Sequence, residues 1–312
     1  MEYSDVLAIG ETLVDAIAQE KGKPLAQVQH FQTHLGGSIA NIACAVALLG
    51  GHASIVSQVG NDAAGQMCCE QLRQAGVNIT ELHIAPHLST SHAYISRTEG
   101  TPEFRIERGA DAHLASNDLN IQRVTHARIV HASTFALSVD PLRSTVIEAI
   151  TRGYHAGNTI SLDPNYHPRI WPNRQEALAI LKHLYPMVAM TKPSLDDAAR
   201  LFGPGRSNEA YIQCFLDMGA KLVILTTGPG DVFLADQHGY RAHIPVSPAP
   251  VVDVTGAGDW FWAAFMMAHL DGLTPLEAVQ FAIKIARYKI GFVGPLITPL
   301  NREKLYHEVF TL

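Results

Sequence analysis

Short apolar runs of strand length alternate along this chain with longer stretches that place apolar residues on successive helical turns. Residues 6–9 and 53–59 read as strands. Residues 39–49, stopped by Gly50-Gly51, and 64–75, stopped by Gly76, read as helices. Further strands are expected at 128–131, 159–163, 187–190 and 221–226, and further helices at 208–218, 260–270 and 275–290. Strands interleaved with helices make βαβ units, so the expected fold is α/β with a mostly parallel central sheet. Ligands in such sheets bind beyond the carboxyl ends of the strands, which directs attention to the segments that follow them.

Two stretches break the rhythm. Residues 14–34 are polar and mixed, with Lys21-Gly22-Lys23-Pro24 as a turn. Residues 91–108 alternate through Ala93 and Ile95, turn at Glu99-Gly100-Thr101-Pro102 and resume at Phe104 and Ile106. That pattern predicts a β-hairpin outside the main sheet. Together, about 14–34 and 90–108 are expected to form a small β lid on a single domain spanning 1–312. The exposed hairpin edge suggests a homodimer, because such edges tend to be paired or covered.

Composition excludes several classes. With 47% hydrophobic and 17% charged residues the chain can bury a large core. The formal net charge is -6 and no basic run occurs, so nucleic acid is not expected as a partner. The apolar run 261–270 is too short to span a bilayer. The start Met1-Glu2-Tyr3-Ser4-Asp5 lacks the basic and apolar parts of a secretion signal. Cys44, Cys68, Cys69 and Cys214 form no CxxC pair and read as reduced thiols of a cytoplasmic protein. The 16 histidines show no HxH or HExxH spacing of a metal site.

The segment Asp253-Val254-Thr255-Gly256-Ala257-Gly258-Asp259 precedes an apolar helix. Small residues at 256–258 allow close backbone approach, and their N–H groups at a helix start suit a phosphate or oxyanion. Asp259, in the first turn, is placed to accept a hydroxyl proton; phosphoryl transfer relies mainly on positioning and charge neutralisation. Alone, a glycine-rich start capped by aspartate also suits a helix with no chemistry.

Gly36-Gly37-Ser38-Ile39-Ala40-Asn41 is a second such start, where Asn41 offers a donor and an acceptor to a polyol. Gly10-Glu11-Thr12-Leu13-Val14-Asp15 follows the first strand and supplies carboxylates for sugar hydroxyls. Asp163-Pro164-Asn165-Tyr166-His167-Pro168-Arg169-Ile170-Trp171 follows another strand, and Arg169 suits a transferred phosphoryl group. Thr226-Thr227-Gly228-Pro229-Gly230 suits nucleotide phosphates or ribose. Each of these also fits a plain loop when taken alone.

Taken in order, these segments resemble the ribokinase-like (PfkB-type) carbohydrate kinases over nearly the whole chain. The Gly36-Gly37 and Asp253–Asp259 segments are similar to that family's two signature patterns, the second being highly specific. The opening Gly10-Glu11 to Asp15 and the Asp163 to Trp171 segment look most like the fructokinase branch. The resemblance implies a three-layer α/β/α domain with a β lid over the sugar. It implies Asp259 as base, Gly256, Ala257 and Gly258 as anion hole, and sugar contacts from Asp15, Gly37 and Asn41, to which Gly36, Asp163 and Asn165 are added as candidates. It implies nucleotide contacts from Lys192, Ser194, Thr226, Gly228 and Gly230, and Mg²⁺ held through water near Asp197. Family members often bind a monovalent cation, such as K⁺, near the anion hole, where Asp253 and Thr255 are the nearest candidates.

The chain departs from the family at three points. Ser194-Leu195-Asp196-Asp197 replaces the common Asn-x-x-Glu, Asp231 follows the Thr-Thr-Gly loop where glycine is usual, and Trp260 follows the base where a small residue is usual, with Trp262 soon after. The indoles are expected to pack inside.

The expected activity is transfer of the γ-phosphoryl group of ATP to a primary hydroxyl of a small sugar, with fructose first. Other acceptors in view are 2-keto-3-deoxygluconate and ribonucleosides or ribosides. The non-enzyme alternative is a sugar or nucleotide sensor. An NAD-binding oxidoreductase is disfavoured, because no GxGxxG follows the first strand.

Overall fold

The structure, a computed structural model, describes residues 3–97, 103–292 and 298–310. The chain runs β1 (Ser4–Ile9), β2 (Leu13–Lys21), β3 (Phe31–Gly36), α1 (Ser38–Leu48), β4 (Ala53–Gly60), α2 (Ala63–Gln74), β5 (Asn78–Ala85), β6 (Ser91–Arg97) and β7 (Phe104–Glu107). It continues through α3 (Ile121–Thr125), β8 (Ala127–Ser133), α4 (Leu142–His155), β9 (Thr159–Asp163), α5 (Arg174–Leu184), β10 (Met190–Thr191), α6 (Leu195–Phe202), α7 (Asn208–Asp217) and β11 (Leu222–Thr226). The last elements are β12 (Val232–Asp236), β13 (Arg241–Ile244), α8 (Ala257–Leu270), α9 (Pro275–Lys289) and α10 (Arg302–Phe310).

A nine-stranded sheet has the order β13-β12-β11-β10-β9-β8-β1-β4-β5. From β11 to β5 its neighbours are parallel, and β12 and β13 add an antiparallel edge. Strand order reverses at β1, which lies between β4 and β8, so a crevice opens beyond its carboxyl end. One sheet face is covered by α1, α2, α8 and α9 around Ile39, Val46, Phe265 and Phe281. The other is covered by α3 to α7 around Val146, Leu181, Leu201 and Phe215. This is the mostly parallel sheet that the alternation predicts, in the three-layer architecture that the resemblance implies. Helix α8 lies deepest: every residue from Trp260 to Ala268 is buried, which explains its nearly continuous apolar sequence.

A separate four-stranded sheet has the order β3-β2-β6-β7, with β2 and β6 parallel. It contains the predicted hairpin, β6 paired antiparallel with β7; its turn at 99–102 lies outside the described residues. Its exit is anchored by Arg108, whose guanidinium lies 2.7 Å from the buried Asp111, which also accepts from Ser91.

The strand expected at 187–190 is a correction. Tyr185–Met187 forms a 3-10 turn instead, and β10 is only Met190–Thr191. Pro186 explains the shift, since it donates no ladder hydrogen bond and is preset for a helical first turn. The β12–β13 hairpin was not anticipated from the sequence; its two-residue alternation is interrupted by Asp236 and the turn at Gly239, where φ is 95°.

Candidate active site

Helices α1 and α8 meet at their N-termini over the crevice at β1. Gly37 enters α1 with φ 94°, and a Cβ there would lie 2.9 Å from the carbonyl oxygen of Glu11. Gly256 enters α8 in the left-handed region, φ 72°. Ser38 Oγ donates to Asp259 Oδ1 at 2.7 Å, and Asn41 Nδ2 donates to Asp259 Oδ2 at 2.9 Å. The two glycine-rich starts found separately in the sequence thus hold one carboxylate between them. Burial raises the Asp259 pKa, opposed by the Ser38 and Asn41 hydrogen bonds and by the charges of Lys192 and Lys289.

The amides at 256–258 are not equivalent. The Ala257 N–H is spent on the Val254 carbonyl at 3.1 Å, a correction to three open donors. Gly258 N–H and Asp259 N–H take no such partner among the described residues and belong to the first turn, where amides lie open. Lys192 sits below them. Its Nζ lies 3.5 Å from where a Gly258 Cβ would stand and 3.1 Å from Asp163 Oδ2. Burial works against the lysine's charge, but Asp163, Asp197 and Asp259 raise its pKa above the ordinary value.

Asp15, on β2, has its pKa pushed to about 7, first by burial and then by Asp259. It occupies the space in front of Gly36, where a Cβ would come within 2.3 Å of Asp15 Cγ. Glu11 is buried with its pKa raised to about 7, mainly by that burial. It accepts from Ser38 N at 2.9 Å and from Ser133 Oγ at 3.3 Å. Glu11 therefore fixes Ser38, which in turn holds Asp259. The sequence marked Glu11 and Ser38 only as motif members; what positions them is a pairing across 27 and 221 residues.

The loops after β9, β10 and β11 adjoin one another. Ser194 forms a parallel bridge with Thr226, whose amide donates to Pro193 O. Ser194 also caps α6: its Oγ accepts from Asp197 N at 3.1 Å and donates to Asp197 Oδ2 at 2.6 Å. Gly228 takes φ 70°. Asp231, the departure after that loop, turns away to His243 at 2.6 Å and the Val246 amide at 3.0 Å. Asn165, at φ 34°, is exposed and donates its amide to Asp163 Oδ1. The structure pairs Asp163 with Lys192.

Arg169 lies elsewhere than expected from its proposed phosphate role. It is exposed, donates to the Phe104 carbonyl at 3.2 Å and stacks over the Phe104 ring of the small sheet. The cations acting on Asp259 are Lys192 and Lys289. Trp262 packs as expected, fully buried, stacked on Phe265 with Nε1 donating to Ser161 Oγ at 2.9 Å. Trp260 is buried too, but borders the cavity described next.

A cavity of about 390 Å³ opens beside Asp259, lined by Asp15, His34, Asn41, Asp253, Gly256 and Lys289 among others. Lys289, missed in the sequence as one of several cations ending α9, is only 2% exposed, and its Nζ has no hydrogen-bond partner among the described residues. Among the described residues, no group of three or more His, Cys, Asp or Glu side chains gathers to hold a metal. Burial, and after it the neighbouring Asp163, raise the Asp197 pKa to about 6. Two hard, mutually repelling carboxylates, one already half-engaged by Ser194, suit a Mg²⁺ ion held through water and brought in on phosphates.

The model of the pfkB family of carbohydrate kinases matches residues 4–299. An ATP-dependent 6-phosphofructokinase of Thermoanaerobacterium thermosaccharolyticum is 33% identical over 293 residues, covering 94% of this chain and 90% of its own. A putative ribokinase II from E. coli, solved with ATP and Mg²⁺, superposes with a TM-score of 0.86 at 26% identity, covering 97% of both chains. A double mutant of fructokinase from Vibrio cholerae O395, in a fructose, ADP and potassium ion bound form, superposes with a TM-score of 0.84 at 25% identity, covering 99% of this chain and 100% of its own. With the family model covering nearly the whole chain and the glycine-rich helix starts converging on one aspartate, this chain belongs to the pfkB family of carbohydrate kinases.

Proposed function

We propose that this kinase transfers the γ-phosphoryl group of ATP to a primary hydroxyl of fructose, with Asp259 as base. The observation that carries the reading is the clamp on Asp259: both oxygens are held by Ser38 and Asn41, beside the open amides of α8. Asp15 and Asn41 bind sugar hydroxyls in the cavity, supported by Gly36 and Gly37, and the small sheet (about 14–34 and 90–108) covers them as a lid on a single domain. Asp259 takes the hydroxyl proton as that oxygen bonds to the γ-phosphorus. The bond from phosphorus to the β–γ bridging oxygen breaks, and ADP leaves. Developing charge falls on the Gly258 and Asp259 amides and on Lys192. Asp163 and Asp197 would hold Mg²⁺ through water, and the ion would supply neutralising charge to the phosphates. Ser194, Thr226, Gly228 and Gly230 line the nucleotide's path. Four free cysteines support a reducing, cytoplasmic setting, and the small sheet's edge strands support a homodimer.

The test is ADP release from ATP·Mg²⁺ over a panel of acceptors. Fructose is expected to give the highest kcat/KM. Fructose 6-phosphate belongs in the panel because the Thermoanaerobacterium relative is a 6-phosphofructokinase. A strong preference for it, for 2-keto-3-deoxygluconate or for a riboside would replace fructose. No release with any acceptor would leave the sensor reading standing.

A further inference from the structure

The position that the resemblance assigns to a monovalent cation is the loop of Asp253 and Thr255, and the Vibrio fructokinase was solved with potassium. Oxygen atoms at that loop already accept hydrogen bonds here. Asp253 Oδ1 accepts from Thr255 N at 2.9 Å, and the Val252 and Asp253 amides both donate to Ile290 O, at 2.8 and 3.2 Å. Ile290 follows Lys289, so the end of α9 lies directly against the loop. The Lys289 side chain enters the same cavity as Asp253, Thr255 and Gly256.

A buried ammonium carries three donors and is costly to leave without acceptors. Among the described residues Lys289 Nζ has none, although the residue is only 2% exposed. Its compensation is therefore charge and not hydrogen bonding. Burial lowers its pKa, and the carboxylates of Asp253 and Asp259 act against that. A potassium ion beside it would bring a second positive charge into the same poorly solvated space, where like charges repel strongly. Among the described residues, those at this loop do not fit that ion.

We propose that the Lys289 ammonium supplies, from within the chain, the single positive charge that a potassium ion would bring to this loop, so that the kinase works without a monovalent cation. Lys289 is a positioning residue in this scheme. It balances Asp253 and holds the 253–256 turn that presents the Gly258 and Asp259 amides. The proposal rests on the kinase reading but not on which sugar is the acceptor.

The experiment uses the full chain with its best acceptor. ADP release and melting temperature are measured in choline chloride, and in potassium, sodium or ammonium chloride at equal ionic strength. The wild type is expected to show the same rate and melting temperature in all of them. Lys289→Ala opens the space, and should lose about 10²- to 10³-fold in choline chloride, the usual cost of removing one preorganised charge-stabilising group. Potassium or methylammonium should restore much of that loss. Lys289→Met fills the space with an uncharged chain, so it should show the same loss without rescue.

A saturable rise of wild-type rate or melting temperature with potassium overturns the proposal. So does a Lys289→Ala enzyme with full activity in choline chloride. A raised acceptor KM with unchanged kcat in both variants also overturns it, because Lys289 would then bind the acceptor. If the alanine variant does not fold, the wild-type salt series and the methionine variant decide. If no acceptor yields ADP, the kinase reading fails, and the melting series still decides about Lys289.

Discussion

At the scale of single residues, the site depends on what stands next to Asp259. Its two oxygens are engaged by Ser38 and Asn41, so the carboxylate cannot rotate away from the cavity. Asp259→Asn keeps the shape and most of those contacts but cannot take a proton. It is expected to lower kcat by about 10²- to 10⁴-fold, the range for a positioned general base, with little change in melting temperature. Retention of most activity would exclude Asp259 as base. Gly36 is the second sensitive position. Its Cβ would stand 2.3 Å from Asp15 Cγ, so Gly36→Ala must displace that carboxylate or the strand carrying it. A cost of about 1–3 kcal/mol is expected by analogy with overpacked sites, with a raised KM for the sugar as the distinguishing readout. Unchanged KM would mean that Asp15 does not touch the acceptor. Both positions were visible in the sequence, because glycine-rich helix starts with a nearby acid are local signals. Glu11 and Lys289 were not, because their importance comes from partners 27 and 122 residues away or from burial, which periodicity does not report.

At the scale of elements, the strand–helix alternation was legible because each helix buries one face against the sheet, and that face is written at 3.6-residue spacing. The misplaced β10 shows where this fails. A two-residue strand, paired on both sides, carries no periodicity of its own, and the apolar run at 187–190 is shared between a 3-10 turn and the strand. Arg169 shows a second limit: its type suggested phosphate, while its position after β9 brings it to the small sheet. Held to the Phe104 carbonyl and ring, it links the β9 loop to β7. If closure of that sheet over the sugar is its role, Arg169→Ala should raise the acceptor KM several-fold with a smaller effect on kcat. Steady-state kinetics distinguish the roles, since a large fall in kcat at unchanged KM would return Arg169 to the transferred phosphoryl group.

At the scale of the whole molecule, the site concentrates buried acids, and this shapes stability against pH. Burial raises Glu11 from 4.5 to about 7, Asp15 from 3.8 to about 7 and Asp197 from 3.8 to about 6. Between their ordinary and raised values the folded chain holds more protons than the unfolded chain, so stability falls as pH rises. The contribution is complete below about pH 4 and is lost as pH passes about 6 to 7 through the folded values. Acids held low, such as Asp62 by Thr90 and Gly65 and Glu277 by Thr274, act in the opposite direction at lower pH. Total stability therefore mixes both signs, and a variant is needed to isolate the site. Asp15→Asn is neutral at every pH and removes the charge that faces Asp259. Without ligands, the wild type is expected to lose melting temperature between about pH 5 and pH 8, and the variant to lose less, because one raised proton-binding group is gone. Thermal melts of the two proteins across that window check the sign directly. Parallel curves would mean that Asp15 ionises at its ordinary pKa in the folded chain and that the pocket is more open to water than its geometry indicates.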